Sequence, residues 1–226
     1  TLLLALCALI YGLPNAWGQS LIVGIPSSDT TPKDKKTIAF EIQSDSSKAF
    51  GSKLAGFVFS TYGVSDSLEV GVTALNLASP NPNPNDSVIA GYKKNWVLKS
   101  SSALKVTGAI GQMAGPSLVG KSLAHWNYAL ISEDFLSKGL RLTQGLSYAN
   151  TSVYGQNTPS LLLGLVHRWA STLMGVVDWY SGSHDYAAAI IALQYRPVHP
   201  FMIFFGWKEY NVAKAGMFMT EMAYEF

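Results

Sequence analysis

The chain has 226 residues, enough for one sizeable domain, and a formal net charge of +2, which excludes a broad basic field for nucleic acid. Charged residues make up 13 %, about half the ~25 % usual in soluble domains, while aromatics reach 12 %. No apolar run approaches the ~18–20 residues of a membrane-spanning helix, so the apolar content is dispersed in the way alternating strands need.

Residues 1–18 read as a secretory signal. An apolar stretch runs to Leu13 and is followed by Pro14-Asn15-Ala16-Trp17-Gly18, with Ala16 and Gly18 as the small residues before cleavage at Gln19. A buried core helix is the alternative. The stretch has no initiator Met and no basic leader, which points to a start upstream of Thr1. Cys7 is the only cysteine, and Leu6 stands where a lipobox needs a small residue. Without residues 1–18 the chain has no thiol, which excludes disulfides and thiolate metal sites. Residues 19–36 carry turn residues and prolines that argue against regular structure.

From residue 37 onward the chain falls into about twelve runs with a period of two, the signature of strands with two different faces. The first sets Ile38, Phe40 and Ile42 against Thr37, Ala39, Glu41 and Gln43. The second sets Phe57 and Phe59 against Gly56 and Ser60. In the third, Leu68, Val70 and Val72 alternate with Glu69, Gly71 and Thr73. The fourth, residues 88–98, is less clean, because one of Lys93 and Lys94 must face outward; Lys94 is placed near an interface where it can snorkel. The fifth has Leu104, Val106 and Ile110 against Lys105, Thr107 and Gly111. The sixth has Trp126, Tyr128 and Leu130 against His125, Asn127 and Ala129, followed by a long connection over residues 132–139. The seventh sets Leu140, Leu142 and Leu146 against Arg141, Thr143 and Gly145. The eighth to eleventh place Arg168, Asp178, Arg196 and Lys208 opposite apolar faces rich in Leu, Val, Ile and Phe.

The last run ends Met222-Ala223-Tyr224-Glu225-Phe226, with Phe226, Tyr224, Met222, Thr220 and Phe218 on one face. This stretch resembles the C-terminal signature strand of Gram-negative outer-membrane β-barrel proteins. The passage Gly63-Val64-Ser65-Asp66-Ser67-Leu68-Glu69-Val70-Gly71 also resembles their short periplasmic hairpins. The resemblance implies export, a place in the bacterial outer membrane among its lipids, and recognition of the C-terminal strand by the barrel-assembly machinery. The expected fold is all-β, a transmembrane antiparallel up-and-down barrel of about 12 strands over residues 37–226. Residues 19–36 would then be either a periplasmic tail or a segment tucked into the lumen, and the sequence does not choose.

The polarity of the runs agrees with a barrel that is apolar outside and polar inside. Inward candidates lining a pore are Glu41, Glu69, Lys105, His125, Arg141, Arg168, Asp178, Arg196, Lys208 and Glu221. They would either set ion preference or pair with one another to brace the interior. Arg168 and Asp178, on neighbouring strands, are expected partners. Trp126, Trp179, Tyr195, Trp207, Tyr224 and Phe226 are candidates for the membrane-interface girdles. Twelve strands ~4.8 Å apart and tilted by about 40° give a backbone diameter of roughly 24 Å and a bore of roughly 10 Å, unless the leading segment or loops plug it. Inward Gly56, Gly71, Ala109, Gly111, Gly145 and Gly164 favour an opening.

The expected function is a narrow passive channel for small polar solutes. Two other classes stay open. One is an outer-membrane hydrolase at the extracellular rim, near His184 and Asp185. The other is a plugged structural or adhesive barrel presenting residues 80–86 and 150–159. The four histidines show neither metal-ligand spacing nor a hydrolase motif, so no metal, cofactor or catalytic residue is assigned.

Overall fold

The computed structural model describes residues 24–45, 54–75, 86–119, 122–212 and 216–226. The signal reading of residues 1–18, Cys7 and most of the loop at 80–86 lie outside these residues. Twelve antiparallel strands close into one barrel. They are β1 (Lys36–Asp45), β2 (Leu54–Ser65), β3 (Leu68–Leu75), β4 (Ser87–Ser100), β5 (Leu104–Pro116) and β6 (Leu123–Phe135). They continue with β7 (Leu140–Ala149), β8 (Thr158–Ala170), β9 (Leu173–Tyr180), β10 (Ala188–Val198), β11 (Phe201–Tyr210) and β12 (Gly216–Glu225).

The C-terminal strand closes the sheet against β1, from Thr37↔Glu225 to Asp45↔Met217, and leaves no edge. Closure is what permits strands to cross a bilayer, because every backbone group finds its partner in the ladder. Lys36 and Phe226 exchange backbone hydrogen bonds at 2.8 and 2.9 Å, so both ends of the barrel domain meet at one rim. Short turns after β2, β4, β6, β8 and β10 share that rim. By the usual asymmetry of such barrels this is the periplasmic end, and the longer connections are extracellular.

Apolar side chains cover the outside: Ile191 is 65 % exposed, Phe218 60 % and Phe205 56 %. Such faces are wrong for water and right for lipid. Trp179 and Trp207 stand outward near the extracellular ends of β9 and β11; Tyr195, Tyr224 and Phe226 stand outward at the periplasmic level. Lys94 faces outward while Lys93 is buried inside, as the fourth run requires.

Two strands correct the sequence-based faces. On β6, Trp126, Tyr128 and Leu130 point into the barrel and His125 points out, where it lies 5.7 Å from the Tyr148 ring. Trp126 is therefore not a girdle residue and His125 does not line the interior. The cause is alternation: β6 runs to Phe135, and its inward face includes Ser132 and Asp134, which a lipid face would not tolerate. The connection after β6 shrinks accordingly to residues 136–139. On β2, Phe57 is buried inside, because the same face carries Thr61 and Gly63, which meet the N-terminal segment; Gly56 therefore faces outward and adds nothing to an opening. Gly111 faces inward, but the Tyr128 ring occupies its place: a Cβ there would lie 2.1 Å from the ring. The glycine makes room for an aromatic side chain rather than for solute.

Candidate functional site

Residues 24–35 enter at the periplasmic rim and pass inside the wall. Ile25 and Ser28 are completely buried, and so is Thr31. Pro26 and Pro32 lack the N–H that would extend a ladder, so the segment is held mainly by side chains and isolated backbone bonds. The Asp34 N–H donates to the Gly63 carbonyl at 2.8 Å. Gly63 allows this approach, since a Cβ there would lie 2.0 Å from the Pro32 carbonyl oxygen. Thr31 bonds Thr61 through the two hydroxyls at 2.6 Å, and the Asn95 amide donates to the Ser28 carbonyl at 2.9 Å. Further along, the Gly24 N–H donates to Asp178 at 2.9 Å. The segment thus crosses the bore from the β2 wall to the β9 wall.

Two charge clusters fix it. Arg141 Nη1 and Nη2 donate to the two carboxylate oxygens of Asp29, while Nε donates to Asp134 Oδ1 at 2.5 Å and Nη2 to Asp134 Oδ2 at 3.0 Å. One guanidinium fork holds one carboxylate of the wall and one of the segment. The second cluster is Glu69, which accepts the Thr31 N–H at 2.7 Å and lies 3.1 Å from Lys93 Nζ. Asp29, Asp134 and Lys93 were not among the sequence-based candidates. Asp134 was hidden by ending the sixth run too early; the partners of Asp29 and Lys93 are remote in sequence.

Glu41, Glu69, Lys105, Arg141, Arg168, Asp178, Arg196, Lys208 and Glu221 lie on inward faces. Glu41 and Glu221 are cross-strand neighbours. Lys208 Nζ donates to Gln43 at 3.3 Å and sits 4.8 Å from the Tyr210 ring centre. Arg168 and Asp178 are not opposite each other: Asp178 pairs in register with Gly164 and Arg168 with Met174.

Above the segment lies a chamber of about 110 Å³, lined by Phe57, Phe59, Trp126, Tyr128, Tyr154 and Tyr186, with Lys93, Glu69, Lys208 and Glu41 on the same walls. The short helix α1 (Thr151–Tyr154) folds inward from the loop after β7 and delivers Tyr154. Tyr154 lies 6.0 Å from Tyr186, which lies 6.3 Å from Phe57, so an aromatic layer spans the outer part of the bore.

The backbone resembles that of a KdgM porin, with a TM-score of 0.56 and 11 % identity over 84 % of this chain and 99 % of that one. A KdgM porin in complex with disordered oligogalacturonate gives a TM-score of 0.58 and 10 % identity, with the same coverage. The chain has the fold of a transmembrane antiparallel β-barrel. At these identities the likeness is one of fold. The trimer form of OmpT, an outer membrane protein of Vibrio cholerae, gives a TM-score of 0.39 at 8 % identity over 85 % of this chain and 98 % of that one. No protein-family model and no curated protein matches the sequence.

At the outer rim of this barrel, His184 is partnered by a residue the sequence did not reveal. Its Nε2 lies 2.6 Å from Ser160 Oγ, and its Nδ1 accepts the Tyr186 N–H at 3.2 Å. With Nδ1 accepting, Nε2 carries the proton and donates it to Ser160, the reverse of what a general base for serine requires. Both residues are buried, and the imidazole stacks on Tyr154 at 4.0 Å. Burial pushes the His184 pKa down to about 4, against smaller opposing contributions from the Ser181 backbone and Asp185. The pair braces the outer loops.

Proposed function

We propose that this barrel is a narrow passive channel for small polar solutes whose periplasmic half is held shut by residues 24–35. The observation that carries the reading is the shared fork of Arg141, which ties Asp29 of the segment to Asp134 of the wall inside the lumen. A strand count of twelve provides a bore, and the segment fills its inner part with a strand-free, proline-interrupted stretch that no ladder anchors. The porin neighbours support the same reading at the level of fold.

The test is single-channel conductance of the refolded protein in a planar bilayer. Removing the Asp29 carboxylate loses a charge-assisted bond of about 1.5–3 kcal/mol, so Asp29→Ala should raise the open-to-closed ratio at least tenfold. Arg141 keeps Asp134 in this variant, so the wall itself is spared. Folded protein that never conducts, in wild type and variant alike, would replace the channel with a sealed barrel.

A further inference from the structure

We propose that the chamber above the segment binds a neutral, single-ring aromatic solute, of which phenol is the simplest member. The inference rests on the channel reading, because such a solute reaches the chamber only through the outer mouth. Three features carry it.

The first is size. About 110 Å³ is somewhat below the ~150 Å³ apolar cavity known to take benzene. A single ring fits with small side-chain adjustments, whereas a chain of linked sugar rings does not.

The second is the nature of the walls. Phe57 and Phe59 lie nearly parallel with an interplanar angle of 12°, and Tyr186 meets Phe57 at 63°. Trp126 and Tyr128 line the other side at a ring separation of 5.1 Å. A planar aromatic guest entering among these rings finds both the stacked and the edge-to-face arrangements that aromatic pairs prefer.

The third is charge. The charged groups of the wall are matched and already engaged: Lys93 with Glu69 at 3.1 Å, and Lys208 at 3.3 Å with Gln43, whose amide in turn donates to Glu41. An ionic solute would be stripped of water without gaining a counter-charge, and would have to break one of these contacts to find one. A neutral hydroxyl avoids that cost, and the Thr73 hydroxyl, also on the chamber wall, offers it a neutral partner.

The experiment titrates phenol into the refolded chain in lipid nanodiscs and follows tryptophan emission. Trp126 is the tryptophan of the chamber wall, so its response reports occupancy. Wild type should give a saturable change that disappears in Trp126→Phe. Thr73→Phe, which fills the chamber while keeping Trp126 as the reporter, should also abolish it; Leu75→Phe serves if Thr73→Phe does not refold. Benzoate should bind at least tenfold more weakly than phenol. A linear, unsaturable response equal in wild type and Thr73→Phe means partitioning into lipid and overturns the proposal, as does equal binding of benzoate. If phenol fails to bind while Asp29→Ala still opens the barrel, the chamber inference alone falls. If phenol binds and nothing conducts, the channel reading alone falls.

Discussion

The two ends of the lumen are obstructed by different physics. The extracellular half is crossed by aromatic rings from β2, α1 and the loop before β10, in contact at 6.0–6.3 Å. The periplasmic half is crossed by a backbone segment held by a guanidinium fork, a Glu–Lys pair and single hydrogen bonds. Ring pairs accept more than one arrangement, stacked or edge-to-face, over a range of separations, so one ring can shift while its neighbours close around a guest. A buried charge network is all or nothing: one lost partner leaves the others desolvated and uncompensated. The outer half is therefore suited to accommodate, and the inner half to switch.

Arg141→Ala attacks the inner half hardest. It strands the Asp29 and Asp134 carboxylates together, and breaking such a buried pair costs about 3–5 kcal/mol. Urea unfolding of the barrel in detergent should report a loss well above that of Asp29→Ala, which leaves one pair intact. Equal losses would mean that the fork does not join wall and segment.

The outer half is expected to respond more mildly, and to acid. His184 has a folded pKa of about 4, below its ordinary value of 6.5, so the unfolded chain takes up a proton first as pH falls. Its contribution is complete above pH 6.5, is lost as pH falls from 6.5 to about 4, and stays lost below. That shift bounds the loss at about 3 kcal/mol. Urea unfolding midpoints measured at pH 7 and pH 4.5 should diverge more for wild type than for His184→Leu. An identical pH dependence in both would show that the imidazole does not brace the loops.

The same contrast explains what the sequence made legible. The outward faces of β1, β8, β10, β11 and β12 follow from simple alternation, because lipid accepts only apolar side chains there and the pattern is strict. The inward face has no such rule. Phe57, Trp126 and Tyr128 look like lipid-facing residues, yet small inward residues such as Gly71 and Gly111 leave them space inside the barrel. Glu133 and Asp134 read as a loop because charges seldom extend a strand, but β6 reaches the aqueous rim where they are tolerated. The path of residues 24–35 was not readable locally. Its anchors are remote, with Asp29 and Arg141 separated by 112 positions and Gly24 and Asp178 by 154. Likewise Ser160 and His184 meet only because β8 and the loop after β9 share a rim.

The seat of the segment can be tested by locking it in place. The Thr31 and Thr61 hydroxyls are 2.6 Å apart, so Thr31→Cys with Thr61→Cys, in a Cys7→Ser background, sets two thiols where a disulfide can form between segment and wall. Single-channel conductance of this variant should be absent when oxidised and return as discrete steps on reduction. The same conductance in both states would contradict a channel that residues 24–35 hold shut.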